Sequence, residues 1–110
     1  MKNIHISTEP ISVNALYTGR RFLTRNGKAT KDAMSWEIKK DWKHDPIKSG
    51  DVCIKVLFYF KDNRKDIDGC LKALLDCMQG IVYENDRQII ELHCFKMIDK
   101  ANPRVEIQVL

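Results

Sequence analysis

Two aspartates one residue apart, Asp66 and Asp68, stand where an apolar segment, residues 51 to 60, leads through the charged stretch Lys61 to Lys65 into a helical pattern. Lys72 follows Asp68 by four residues and so lies above it on the same helical face. A second acidic group, Glu84-Asn85-Asp86, arrives after one short connection. If Asp66, Asp68 and Asp86 meet with carboxylates roughly 5 Å apart, each ionised pair repels by about 3 kcal/mol at an effective dielectric of 20. Such a cluster requires a cation, and hard carboxylate oxygens suit magnesium, with manganese able to substitute. A divalent ion of this kind lowers the pKa of a bound water and stabilises charge on a phosphoryl oxygen. Lys72 would then contact the phosphate or help orient the water, a mainly electrostatic role. Lys61, Arg64 and Lys65 would flank the same site, so that hydrolysis and binding of a phosphate backbone share one surface.

Each of these residues also has an ordinary structural explanation. Aspartates cap helix N-termini and interact favourably with the positive end of the dipole. Asp68 and Lys72 fit an exposed ion pair one helical turn apart, and Glu84 to Asp86 fit a polar turn before a strand. Glu84 also stands as an alternative to Asp86 for the third ligand. His5, His44 and His93 have no acidic or nucleophilic neighbour in sequence, which leaves them as surface or core residues. Cys53, Cys70, Cys77 and Cys94 form no Cys-x-x-Cys pair, so reduced thiols are expected rather than a zinc or redox site.

The elements that must position the acidic residues follow from periodicity. At 110 residues the chain fits a single domain, 1–110. Residues 2 to 6 alternate as a short strand, and Pro10, Ser12 and Asn14 mark a loop. Residues 20 to 30 are basic, and Asn26-Gly27 between Phe22-Leu23 and Ala29-Thr30 reads as a tight hairpin turn. Ala33, Met34, Trp36, Ile38 and Trp42 fit a helix from Lys31 to about Lys43, ended by Pro46. Residues 51 to 60 are apolar on both faces, as a central strand requires. A helix follows from Asp66 or Ile67 to Gln79, with Gly80 as its C-cap. Its residues Ile67, Leu71, Leu74, Leu75 and Met78 make one apolar face, and Cys70, Ala73 and Cys77 a small-residue face that is a candidate for contact with a second copy. Strands over 88 to 98 and 104 to 110 complete an α+β fold: a mixed sheet of about four strands covered by two helices, in the order β, basic hairpin, α, β, α, β, β.

The net charge of +4 favours a polyanionic partner without identifying one. Arg20 and Arg21 in the hairpin and Lys61, Arg64 and Lys65 in the loop are the candidate backbone-binding residues. No apolar run approaches the ~18 residues of a membrane span, and the first residues lack the hydrophobic block of a signal peptide, so a soluble, intracellular chain is expected.

The segment Asp62-Asn63-Arg64-Lys65-Asp66-Ile67-Asp68-Gly69-Cys70-Leu71-Lys72, followed by Tyr83-Glu84-Asn85-Asp86-Arg87-Gln88-Ile89-Ile90-Glu91, resembles the RusA family of Holliday junction resolvases. Pro10, Ser12 and Asn14 are similar to that family's early Pro-x-Ser-x-Asn loop, although Gly69 stands where the family often has Asn. The resemblance implies magnesium-dependent cleavage by Asp66, Asp68, Lys72 and Asp86, a 5′-phosphate product, a mixed sheet with helices, and a tight homodimer. It implies an endodeoxyribonuclease that resolves four-way DNA junctions by paired, symmetric nicking in recombination and repair, in the cytoplasm of a bacterium or encoded by a phage or prophage. Two other functions remain open at this point: a non-catalytic junction-binding module, and an assembly subunit that uses Trp36 and Trp42 as a protein interface.

Overall fold

The longest apolar alternation in the chain becomes an interior strand. In the computed structural model, which describes residues 2–12, 17–18, 22–23 and 25–110, the elements are β1 (Lys2–Ile6), β2 (Tyr17–Thr18), β3 (Phe22–Leu23), α1 (Arg25–Asp41), β4 (Val52–Phe60), α2 (Ile67–Met78), β5 (Ile89–Ile98) and β6 (Arg104–Val109), with a 3₁₀ turn over Asp86–Gln88. Four strands form one mixed sheet in the order β1-β6-β4-β5, and β2 pairs with β3 as a separate small hairpin. This is the expected α+β architecture.

Val52, Ile54, Val56, Phe58 and Phe60 are all buried on one face of β4. Burying side chains of this kind contributes about 1.5 to 3 kcal/mol each. Ile4 and Ile6 from β1 and Val105, Ile107 and Val109 from β6 extend the same face. β4 is antiparallel to β6 and parallel to β5. Parallel neighbours need a crossover connection, and α2 supplies it. The helix therefore starts at the end of the sheet where β4 finishes and returns to the end where β5 begins. That topology decides where the site residues lie.

On α2 the buried residues are Cys70, Ala73, Leu74, Cys77 and Met78. The small-residue face is thus inside the chain's own core, where Cys77 meets Ser35 of α1, and it is not available to a second copy. Small side chains there let the two helices approach. Ile67, Leu71 and Leu75 are only partly buried. Gly80, at φ +89, takes the left-handed conformation that ends the helix.

Two further expectations need correction. Asn26-Gly27 is not a hairpin turn but lies in the first turn of α1, which starts six residues before the expected Lys31. Gly27 is buried there, and this tertiary packing outweighs its local turn preference. The hairpin precedes it, with Tyr17 opposite Leu23 and Thr18 opposite Phe22. The tryptophans do not form a joint surface: Trp42 is buried against the sheet, whereas Trp36 is 64% exposed. α1 is fastened to β1 by carboxylates, with the His5 amide donating to Asp41 at 2.7 Å and the Ser7 hydroxyl to Glu37 at 2.6 Å.

Candidate active site

Asp66 holds the N-cap position of α2 in extended conformation (φ −94, ψ 151), yet its side chain makes no capping hydrogen bond. The capping half of the structural explanation therefore fails, and what the helix offers Asp66 is the positive end of its dipole alone. Asp68 lies in the first turn, where its Oδ1 accepts from the Gly69 amide at 2.9 Å. Both line an open cavity of about 610 Å³ together with Ser12, Arg64, Lys65, Gly69 and Lys72. A Cβ on Gly69 would fall 2.7 Å from the Ser12 hydroxyl oxygen. The Ser12 side chain therefore lies directly against the helix start, and any side chain at position 69 would have to turn it aside.

Cations edge the cavity in three different ways. Lys72 does not pair with Asp68; its nearest carboxylate is Asp76, at 3.8 Å. Because Lys72 is 68% exposed, this contact is weak. Arg64 folds back on Asp62, with Nη2 and Oδ2 2.7 Å apart and the Arg64 amide donating to Oδ1 at 3.0 Å. That guanidinium holds the Asp62 carboxyl at about 2, so the turn keeps its charge pair at any ordinary pH. Lys65 donates to Glu9 Oε1 at 2.7 Å and to the Pro10 carbonyl at 3.1 Å. It ties the early loop down rather than offering a free ammonium. Lys61 is exposed, and Arg20, Arg21 and Asn14 lie outside the described residues.

Asp86 lies at the other end of α2. Its amide donates to Gln79 Oε1 at 3.0 Å, and Gln79 is eleven residues beyond Asp68, about 16 Å along a helix. Asp86 Oδ1 is shut away from solvent with no hydrogen-bond partner. Its charge falls on Tyr83, whose hydroxyl donates to the Leu75 carbonyl at 3.1 Å. Burial is the main cause that pushes the Tyr83 phenol far above its ordinary range, with Asp86 adding to it. Glu84 opens onto a separate cavity of about 480 Å³ with Lys48, Gly50, Asp51, Asn85, Arg87 and Gln88. Among the described residues, no three His, Cys, Asp or Glu side chains converge as a metal site within one chain. One chain thus brings together Asp66, Asp68 and Lys72, and leaves both Asp86 and Glu84 apart.

Sequence reasoning missed the residues that hold this arrangement. Gln88 accepts from the Glu84 and Asn85 amides through Oε1, at 3.0 and 2.9 Å, and donates through Nε2 to the Ile47 carbonyl at 3.0 Å. It fixes the turn that carries Asp86. Lys96 on β5 donates to the Lys65 carbonyl. The Asn85-x-x-Gln88 spacing is a capping box and could have been found in the sequence, whereas the reach of Gln88 to Ile47 and of Lys96 to Lys65 has no local signal, because those partners are brought together only by the fold.

Fold and cavity together define a small α+β protein with paired aspartates at a helix N-terminus, edged by cationic side chains. A family model described as "Endodeoxyribonuclease RusA" matches residues 11–110, and the chain belongs to that family. The Crossover junction endodeoxyribonuclease RusA of Aquifex aeolicus (strain VF5) is 34% identical to it over 76 residues, 67% of this chain and 60% of the relative. The match therefore spans less than two thirds of that relative's length. Among the described residues, no helix is long and apolar enough to cross a membrane.

Proposed function

We propose that this chain is a magnesium-dependent, structure-specific endodeoxyribonuclease that resolves Holliday junctions by paired, symmetric nicking. The observation that carries this reading is the uncapped Asp66 beside Asp68 in an open, cation-edged cavity, in a chain of the RusA family. Oxygen-only donors with no soft ligand at hand fit magnesium or manganese, and the unpartnered Asp86 Oδ1 fits a carboxylate still lacking a cation. Bound there, the metal would supply a nucleophilic water and neutralise charge on the phosphoryl oxygens. Asp66, Asp68 and Asp86 would hold it, Lys72 would face the scissile phosphate, and Lys61 and Arg64 would position the DNA backbone.

Because one chain separates Asp86 from Asp66 and Asp68, the site needs a second copy. β5 is one of the two edge strands of the sheet, β1 being the other, and on β5 the apolar residues Ile90, Leu92, Phe95 and Ile98 are exposed. A ten-residue edge with no proline invites another strand. Pairing of β5 with β5 of a second copy about a two-fold axis closes on itself as an isologous dimer. In that antiparallel arrangement the start of one β5 lies beside the end of the other. Asp86 immediately precedes the start, and the end carries Lys96 against the loop before Asp66. The partner subunit's Asp86 would thus approach Asp66 and Asp68, and the homodimer would present two such sites to the symmetry-related strands of a junction. The setting proposed for it is the cytoplasm of a bacterium, with the gene carried by the host or by a phage or prophage, in keeping with the Aquifex aeolicus relative.

The test is incubation of purified protein with a mobile four-way junction, a linear duplex and a flap, each in magnesium and in EDTA. Symmetric nicks on the junction in magnesium, and none in EDTA, are expected. Junction binding of equal strength in both buffers, without nicking in either, would instead identify a non-catalytic binding module.

A further inference from the structure

The backbone just before Asp66 is held by a relay that starts on β5, the strand beside β4 in the sheet. Lys96, on edge strand β5, lays its ammonium 5.5 Å from the Phe60 ring centroid and donates to the Lys65 carbonyl, the peptide that leads directly into Asp66. The Lys65 side chain continues the relay to Glu9 Oε1 and the Pro10 carbonyl, which anchors the segment whose Ser12 lines the cavity. Glu9 is partly buried, and its Oε2 is shut away from solvent with no hydrogen-bond partner. Two ammonium groups and one carboxylate therefore fix the path of the loop, and none of them belongs to the proposed ligand set. Asp66, having no cap bond of its own, depends on that path for its direction.

We propose that Lys96, acting with Lys65 and Glu9, is a positioning residue that aims the Asp66 carboxylate and so sets the affinity of the site for its divalent ion. This rests on the reading of Asp66 as a metal ligand. Groups that orient ligands from outside the coordination sphere typically change metal affinity or activity by about 10- to 100-fold when removed. The effect should appear in the metal dependence and not in DNA binding, because Lys96 points at a carbonyl of its own chain.

The experiment compares wild type with Lys96→Met, Lys96→Arg, Glu9→Gln and Asp66→Asn. Manganese binding is followed by titration calorimetry, junction affinity is measured in EDTA, and cleavage is recorded against metal concentration. Lys96→Met keeps the stem over Phe60 but removes the donor, so its manganese Kd and the metal midpoint for cleavage should rise about 10-fold or more. Junction affinity in EDTA should change by less than about 2-fold, since no phosphate contact is lost. Lys96→Arg restores a donor and should recover most of the loss. If Lys96→Met fails to fold, Glu9→Gln, which releases Lys65, should show the same upward shift. An unchanged manganese Kd in Lys96→Met, or in Glu9→Gln should that variant be needed, overturns the positioning role. Full manganese binding and cleavage in Asp66→Asn would instead overturn the ligand reading beneath it.

Discussion

Asp68→Asn is expected to lower four-way junction cleavage by at least about 100-fold while leaving junction binding in EDTA nearly unchanged. The substitution keeps the shape of the side chain and an oxygen that can still accept from the Gly69 amide. It removes one of the two carboxylate charges at the start of the helix. Loss of a preorganised charge that acts on the transition state typically costs about 10² to 10³ in rate, and a metal ligand belongs to that class. The fold should lose little. One acidic residue in a first helical turn contributes about 0.3 to 1 kcal/mol through the dipole, and relief of repulsion with Asp66 offsets part of it. Gel-shift titration in EDTA and single-turnover cleavage in magnesium separate the two effects. Cleavage retained at the wild-type rate would remove Asp68 from the metal site.

The double substitution Ile90→Lys with Ile98→Lys is expected to yield a folded monomer without cleavage activity. Both side chains are already more than half exposed in a single chain, at 63% and 52%, so each change should alter the stability of the monomer by no more than about 0.5 kcal/mol. At a β5 seam the same changes replace two of the apolar side chains of the strand with like charges, and facing like charges destabilise pairing. Charged residues on a strand edge are also the usual device against edge pairing. Sedimentation velocity should show a dimer for wild type and a monomer for the variant, with unchanged far-ultraviolet circular dichroism. Cleavage should disappear although Asp66, Asp68 and Lys72 are untouched. A variant that remains dimeric and active would place the interface elsewhere.

The sequence already marks the residues around which the fold is built. The alternation from Val52 to Phe60 is strong enough to specify a strand and, with its second apolar face, an interior one. The pattern from Ile67 to Met78 and the glycine at position 80 specify a helix and its end. Asn26-Gly27 misleads because turn preference is local, whereas burial of Gly27 in the first turn of α1 is tertiary. The Cys70, Ala73 and Cys77 stripe misleads for a related reason: periodicity shows that a face is apolar, not which neighbour covers it. At the site, residue type and spacing point to Asp66, Asp68 and Lys72 because they are local to one helix start. Asp86 is recognisable as acidic and near a strand start, but its distance from the others depends on β5 running parallel to β4. Glu9 and Lys96 stay hidden, since each acts on residues 30 or more positions away, and so does the long-range half of Gln88's role, its bond to the Ile47 carbonyl.

Mixing Asp68→Asn protein with Asp86→Asn protein tests the shared site most directly. Each variant alone should be inactive. After subunit exchange at equal concentrations, about half of the dimers carry one of each chain. In those, one site collects both substitutions and the other collects none. Nicking should therefore return to about a quarter of the wild-type level, on single strands instead of in symmetric pairs. If exchange is verified and no nicking returns, Asp68 and Asp86 serve the same site from one chain, and a metal centre built across β5 is wrong.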